Sequence, residues 1–109
     1  AMDMLLLLAP QKFATGHSGG GDFMRDSDGR LTRARGAADA PIYAGAAIIR
    51  PEIFAGAPEG PHSLNIHFDR AIGSGRLFGI ELVGRWITVG TPDAIAPAED
   101  AIARTVSLA

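Results

Sequence analysis

Cysteine is absent from this chain of 109 residues, which excludes a disulfide scaffold and a thiolate zinc site. Lysine occurs once, as Lys12, and the remaining cationic residues are arginines scattered along the chain. With charged residues at 20% and a net charge of −2, no basic field is available to hold a nucleic-acid backbone, so no nucleic-acid partner is expected. Long apolar runs are missing as well. The Leu-rich opening MDMLLLLAP is apolar only over residues 4–9, contains Asp3 and has no basic residue ahead of it, so it reads as neither a secretory signal nor a membrane span. The expectation is a cytoplasmic protein with no membrane partner, and the length allows one core.

Arrangements that carry chemistry are equally sparse. His17, His62 and His67 share no spacing that sets two ligands on one helix face, and no HExxH accompanies them, so surface or capping histidines are expected rather than metal ligands. Asp26 and Asp28 open like a calcium loop, but Arg30 stands at the fifth position and no Glu closes it. Glu99 and Asp100 are adjacent on a predicted helix and point in different directions. No Ser-His-Asp order and no GxSxG is present, so the chain taken alone offers no nucleophile. The run GHSGGGDF lacks the preceding strand and following helix of a phosphate loop. It reads as a mobile loop, or as a place where Gly21 admits a ligand to the backbone and Asp22 bonds a sugar or base hydroxyl.

What the sequence does contain is an alternation of strands and helices. Residues 4–8 form a continuously apolar run of the kind buried on both faces in the middle of a sheet. The Asp28-Gly29 pair predicts a hairpin with strands over 22–25 and 30–34, and residues 35–40 are loop. Residues 42–49, IYAGAAII, read as a second buried strand with Gly45 marking close approach of backbone or ligand. Pro51 opens a helical turn. Ser63 is the expected N-cap of a helix whose stripe is Leu64, Phe68, Ala71 and Ile72, ended by Gly73 and Gly75. Strands follow over 77–83, with Phe78, Ile80 and Leu82 on one face, and over 86–89. Gly90-Thr91-Pro92 makes a corner, with Thr91 as cap, before a helix with stripe Ile95, Ala98, Ile102 and Val106, which Pro97 should kink. The pattern is that of an α/β protein with a mixed sheet.

Four segments, MDMLLLLAP, GGGDFMRDSDGRL, YAGAAIIRPEIFAGAPEGPHSLNIHFDRAI and GRLFGIELVGRWITVGTPDAIAPAE, together resemble the C-terminal half of bacterial sugar-1-phosphate nucleotidyltransferases. The group most alike is that of N-acetylmuramate-1-phosphate uridylyltransferase and the mannose-1-phosphate guanylyltransferase-like proteins. The resemblance implies the sugar-side half of a Rossmann-like nucleotidyltransferase fold, a mixed sheet flanked by helices, with residues 1–109 as one partial domain lacking the nucleotide-binding half. It also implies transfer of a nucleotidyl group from a nucleoside triphosphate to a sugar-1-phosphate, with release of pyrophosphate and assistance from Mg²⁺.

By position the resemblance puts Gly21 and Asp22 beside the sugar-phosphate pocket and Tyr43 with Gly45 on its floor, with Asn65 and Asp69 in the same pocket, binding substrate, or orienting it. Where many members carry a metal-binding carboxylate, this chain has Thr88, a poor ligand for a hard cation. The family's Glu-Lys-Pro motif is replaced by a stretch near Arg35-Gly36. The expected partners are the two substrates in the parent enzyme and either the missing half or a second copy of the chain. A fragment inactive alone is the first expectation, and a stand-alone, non-catalytic sugar-phosphate-binding or interaction module is the alternative.

Overall fold

A computed structural model describes every residue except Ala1, Ser18, Gly36, Ala38 and Ala109, and leaves the side chains of residues 106–108 undescribed. The apolar opening forms β1 (Met4–Ala9), which lies in the middle of a three-stranded sheet, as its composition predicts. On one side it pairs antiparallel with β5 (Ile42–Ile49), and on the other parallel with β6 (Leu77–Glu81), so the sheet is mixed. Two smaller pairs complete the strands. The hairpin of β3 (Phe23–Arg25) and β4 (Leu31–Arg33) is antiparallel, and β2 (Ala14–Thr15) runs parallel to β7 (Trp86–Ile87).

The hairpin turn follows from its sequence. Asp26 Oδ1 accepts from the N–H groups of Asp28 and Arg30, and Gly29 supplies the positive φ, 91°, that the turn requires. The turn then seats on the outer edge of β6: Gly79 N–H donates to Gly29 O at 2.9 Å, and Arg25 Nε donates to Gly79 O at 2.8 Å. That edge is therefore covered.

The core lies on one face of the sheet. Met4, Leu6, Leu8 and Leu77 meet Phe23 and Leu31 of the hairpin and Phe68 and Ala71 of α1 (Asn65–Gly73). Phe68 stacks edge-on against Phe23 and Tyr43, an arrangement that suits the aromatic quadrupole. The opposite face is uncovered among the described residues. Leu5 and Leu7 are half-buried there, Ile48 is 73% exposed and Ile80 49%. The expectation that residues 4–8 and 42–49 are buried on both faces is corrected accordingly, since α1 and the hairpin both lie on the same side and nothing described lies on the other.

The second helix, α2 (Ile95–Leu108), packs beside β2 and the 3-10 turn Pro92–Ala94 rather than over the large sheet. Of the expected stripe Ile95, Ala98, Ile102 and Val106, Ala98 is buried, with Ala101 and the preceding Ala94 beside it, Ile95 and Ile102 are half exposed, and the side chain of Val106 lies outside the described residues. Pro97 sits in the helix's first turn, where its missing N–H removes no intrahelical bond, and a kink is not required there. No side-chain hydrogen bond caps the turn at Thr91. On β6 the core face is Leu77 and Gly79, not Phe78 and Ile80; a Cβ at Gly79 would lie 2.7 Å from Leu8 Cδ1 and 2.9 Å from Leu31 Cδ2, so the hairpin packs close over the glycine and a larger residue would require those leucine ends to shift.

On α1, Leu64 is exposed and His67 takes the buried place beside Phe68 and Ala71. The N-cap of α1 is Leu64 rather than the expected Ser63, and no side chain caps it; Ser63, one residue earlier, accepts from Asn65 N–H through Oγ at 3.1 Å.

Candidate functional site

The carboxyl ends of β1 and β6 lie side by side, paired through Leu8 and Glu81, and the amino end of β5 joins them through Leu8 and Tyr43. In α/β sheets this is the end at which backbone groups and loops are free to hold ligands. Three cavities sit around it. One of about 390 Å³ lies among Pro10, Lys12, Phe13, Glu81 and Arg85. A second of about 490 Å³ lies among Gln11, Lys12, Asp39, Pro41 and Glu81. A third, of about 470 Å³, lies at the corner after β7, among His17, Trp86, Thr88, Thr91 and Asp93. The single lysine thus serves two of the three.

The residues expected at the site fall into two groups. Asp22 accepts from Tyr43 N–H through Oδ2 at 2.8 Å, and its own N–H donates to Pro41 O at 2.9 Å, but neither Asp22 nor Tyr43 lines any of the three cavities. Gly21 packs against backbone: a Cβ there would lie 2.0 Å from Ala40 O. Gln11 Nε2 donates to the same Ala40 oxygen at 2.7 Å, which draws the loop after β1 onto the loop before β5.

The second group is Asn65 and Asp69, one turn apart on α1. Both are held by Arg33 of β4, whose Nε donates to Asp69 Oδ1 at 2.9 Å and whose Nη2 donates to Asn65 Oδ1 at 3.0 Å. The Arg33 guanidinium stands 5.1 Å from the centre of the Phe23 ring and 5.8 Å from that of Phe68. Phe68, packed on Tyr43, links the two groups through the core.

Gly45 lies apart from both. It forms a bulge in β5, with φ 91° and open space around it, where the pairing with β1 slips between Leu6 and Leu8. The bulge connects instead to the corner, since Trp86 Nε1 donates to Ala44 O at 3.3 Å. Thr88 N–H donates to Thr15 O at 2.9 Å, and a Cβ at Gly16 would lie 2.1 Å from Thr88 O, so the Thr88 backbone packs against the segment of β2 and Gly16. Gly36, part of the segment that replaces the family's sugar-contacting motif, lies outside the described residues.

The corner does not fit a Mg²⁺ ion. Hard cations take several oxygens, and here the cavity offers one carboxylate, Asp93, beside the hydroxyls of Thr88 and Thr91. Among the described residues no group of three or more His, Asp or Glu side chains could hold a metal.

Two features were not read from the sequence. Arg33 is one of nine arginines, and nothing local marks it as the one that spans from hairpin to helix. His67 is also a correction: it is 2% exposed, not a surface or capping residue. Its Nε2 lies 2.9 Å from Nε2 of His62, so the pair meets despite a spacing of five, because His62 belongs to the turn before the helix rather than to the helix. Burial, with His62 and Arg70 nearby, lowers the His67 pKa below its ordinary value and so favours the neutral ring.

Among the described residues no helix is long and apolar enough to cross a membrane. No family model matches the chain. Over 104 residues it is 38% identical to the N-acetylmuramate alpha-1-phosphate uridylyltransferase of Caulobacter vibrioides, an alignment that takes in 94% of this chain and 43% of that protein. The chain therefore spans less than half the length of this relative. The resemblance to sugar-1-phosphate nucleotidyltransferases of the N-acetylmuramate-1-phosphate uridylyltransferase kind, carried by four separate segments, is borne out over nearly the whole chain.

Proposed function

We propose that this chain is the sugar-phosphate side, the C-terminal half, of a cytoplasmic nucleotidyltransferase that makes a nucleotide sugar. The observation that carries this reading is the 38% identity spread over 94% of the chain. In the parent reaction an oxygen of the sugar-1-phosphate attacks the α-phosphorus of a nucleoside triphosphate, the bond between the α- and β-phosphates breaks, and pyrophosphate leaves. The protein's part is positioning and charge rather than covalent chemistry.

In this chain the sugar phosphate lies in the cavities flanked by Lys12 and Arg85, whose cations offset its charge, with Asp39 and Glu81 available to sugar hydroxyls. Asp22 and Tyr43 hold the loop before β5 in register with that cavity, and Arg33, tied by Asn65 and Asp69, braces the hairpin on α1. The Mg²⁺ of the parent reaction needs carboxylates that the corner here does not supply. The chain alone is inactive, and its missing half or a second copy covers the open sheet face.

The test is incubation of the purified chain with uridine triphosphate and N-acetylmuramate 1-phosphate, following pyrophosphate, together with a binding titration of the sugar phosphate alone. Turnover by the chain alone defeats the incompetence claim, and absence of sugar-phosphate binding defeats the assignment of the site. The alternative, a stand-alone binding module, draws on the contiguous core of Met4, Leu6, Leu8, Phe23, Phe68 and Leu77 within this chain. A cooperatively melting monomer that binds the sugar phosphate favours it.

A further inference from the structure

The corner cavity after β7, of about 470 Å³, differs in chemistry from the two that share Lys12. Among the described residues its walls carry no Lys or Arg, and Asp93 adds a negative charge, so a phosphate is repelled rather than held. A hard cation does not fit either, and the walls suit an uncharged ligand. They also divide by polarity, with Trp86 and Pro97 apolar and His17, Thr88, Thr91 and Asp93 polar. The hydroxyls of Thr88 and Thr91 and the carboxylate of Asp93 make no hydrogen bond among the described residues. The rings beside them are already oriented. Trp86 Nε1 is taken by Ala44 O at 3.3 Å, which fixes the indole and leaves its ring surface to a ligand. His17 Nε2 lies 3.1 Å from Gly20 O, a carbonyl that can only accept, so Nε2 carries the hydrogen and Nδ1 is a free acceptor. The His17 and Trp86 rings, 6.0 Å apart and tilted by 57°, form adjoining walls.

We propose that this cavity binds an uncharged pyranose ring, with one C–H face of the sugar laid on the indole of Trp86 and its hydroxyls on Asp93, Thr88, Thr91 and His17 Nδ1. Three observations converge. The C–H groups of a pyranose are slightly positive and meet the negative face of an aromatic ring favourably, and Trp86 is held with that surface available. Each sugar hydroxyl can donate and accept together, which matches walls that offer two acceptors, Asp93 and His17 Nδ1, beside two hydroxyls that do both. The cavity is also of the size that encloses a single small ring. A uracil ring would stack as well, but its carbonyl oxygens only accept and would confront the Asp93 carboxylate. The walls are fixed before the ligand arrives, because Thr88 N–H is bonded to Thr15 O and Gly16 packs on Thr88 O. The site is separate from the cavities flanked by Lys12, and it does not depend on the nucleotidyltransferase reading.

Trp86 is the chain's one tryptophan, so its fluorescence reports on the cavity directly. The test is titration of the full chain with methyl N-acetylglucosaminide, a pyranoside without phosphate, and in parallel with uridine. The expected result is a saturable change in tryptophan emission with the pyranoside and none with uridine. Asp93→Ala, which removes a charged acceptor, should bind the pyranoside about tenfold more weakly. Thr91→Val is the second variant: its hydroxyl caps nothing, so the fold is kept, and binding should weaken about threefold. Circular dichroism checks the fold of both, and Asp28→Asn, in the hairpin turn, leaves the binding unchanged. No saturable change with the pyranoside, an equal response to uridine, or unaltered affinity in folded Asp93→Ala and Thr91→Val overturns the site.

Discussion

Gly21 separates two explanations of the GGGDF loop, ligand access and backbone packing. In Gly21→Ala the new Cβ would stand 2.0 Å from Ala40 O and 2.4 Å from Ala40 C, both backbone atoms that cannot turn aside. Reaching ordinary contact means parting two segments by ~1.2 Å or more. Those segments are tied by Gly21 N–H to Ala37 O, Asp22 N–H to Pro41 O and Gln11 Nε2 to Ala40 O. Losing two such bonds costs ~1 kcal/mol each and the overpacking ~1–3 kcal/mol, a total of ~3–5 kcal/mol. For a chain of this size that lowers the melting temperature by roughly 12–20 °C. Gly73→Ala is the control, since the site has open space and helical backbone, and it leaves the melting temperature unchanged or raises it. The assay is thermal unfolding followed by circular dichroism, with sugar-phosphate binding measured on the folded variants. If Gly21→Ala melts with the parent chain but loses sugar-phosphate binding, the packing argument is refuted and the glycine serves the ligand.

Leu6→Ala empties the middle of the core beneath Phe68 and should cost ~2–5 kcal/mol in urea unfolding, whereas Ile48→Ala on the open face should cost under ~1 kcal/mol. Because His67 has a lowered pKa in the folded chain and an ordinary one when unfolded, its contribution is present above pH ~6.5 and is lost as the pH falls below that value. The ring faces His62 and Arg70 and shares its cavity with Asp3 and Glu52, so melting temperatures from pH 7.5 down to 5.5 should fall, and His67→Gln should flatten the part of that fall due to this ring. Millimolar Mg²⁺ should leave the melting temperature of the chain unchanged, and a rise in it would show that Asp93 and the corner hydroxyls hold the ion after all.

Local chemistry determined much of this protein by itself. A run of MLLLLA without polar alternation can be stable only with neighbours on both edges, and β1 has them. Asp26 and Gly29 close the hairpin through bonds that span at most four residues, so its place was legible without any tertiary information. The resemblance put Asp22 and Tyr43 at one pocket; the two are joined by a hydrogen bond from Tyr43 N–H to Asp22 Oδ2, although neither lines a cavity at the strand ends.

Faces and long-range partners were another matter, because they depend on which elements arrive from elsewhere in the chain. Whether Leu5 and Leu7 are covered depends on what packs over them, and α1 and the hairpin both lie on the other side. The burial of His67 in place of Leu64 reflects where α1 meets the sheet, a rotation that its helical period alone does not set. The same holds for Arg33 on Asn65 and Asp69 and for His62 on His67, contacts made by a strand and a turn whose sequence spacing says nothing of their distance. Short-range hydrogen bonds and apolar runs are written in neighbouring residues, whereas the pairing of side chains across elements exists only once the core has fixed those elements in space.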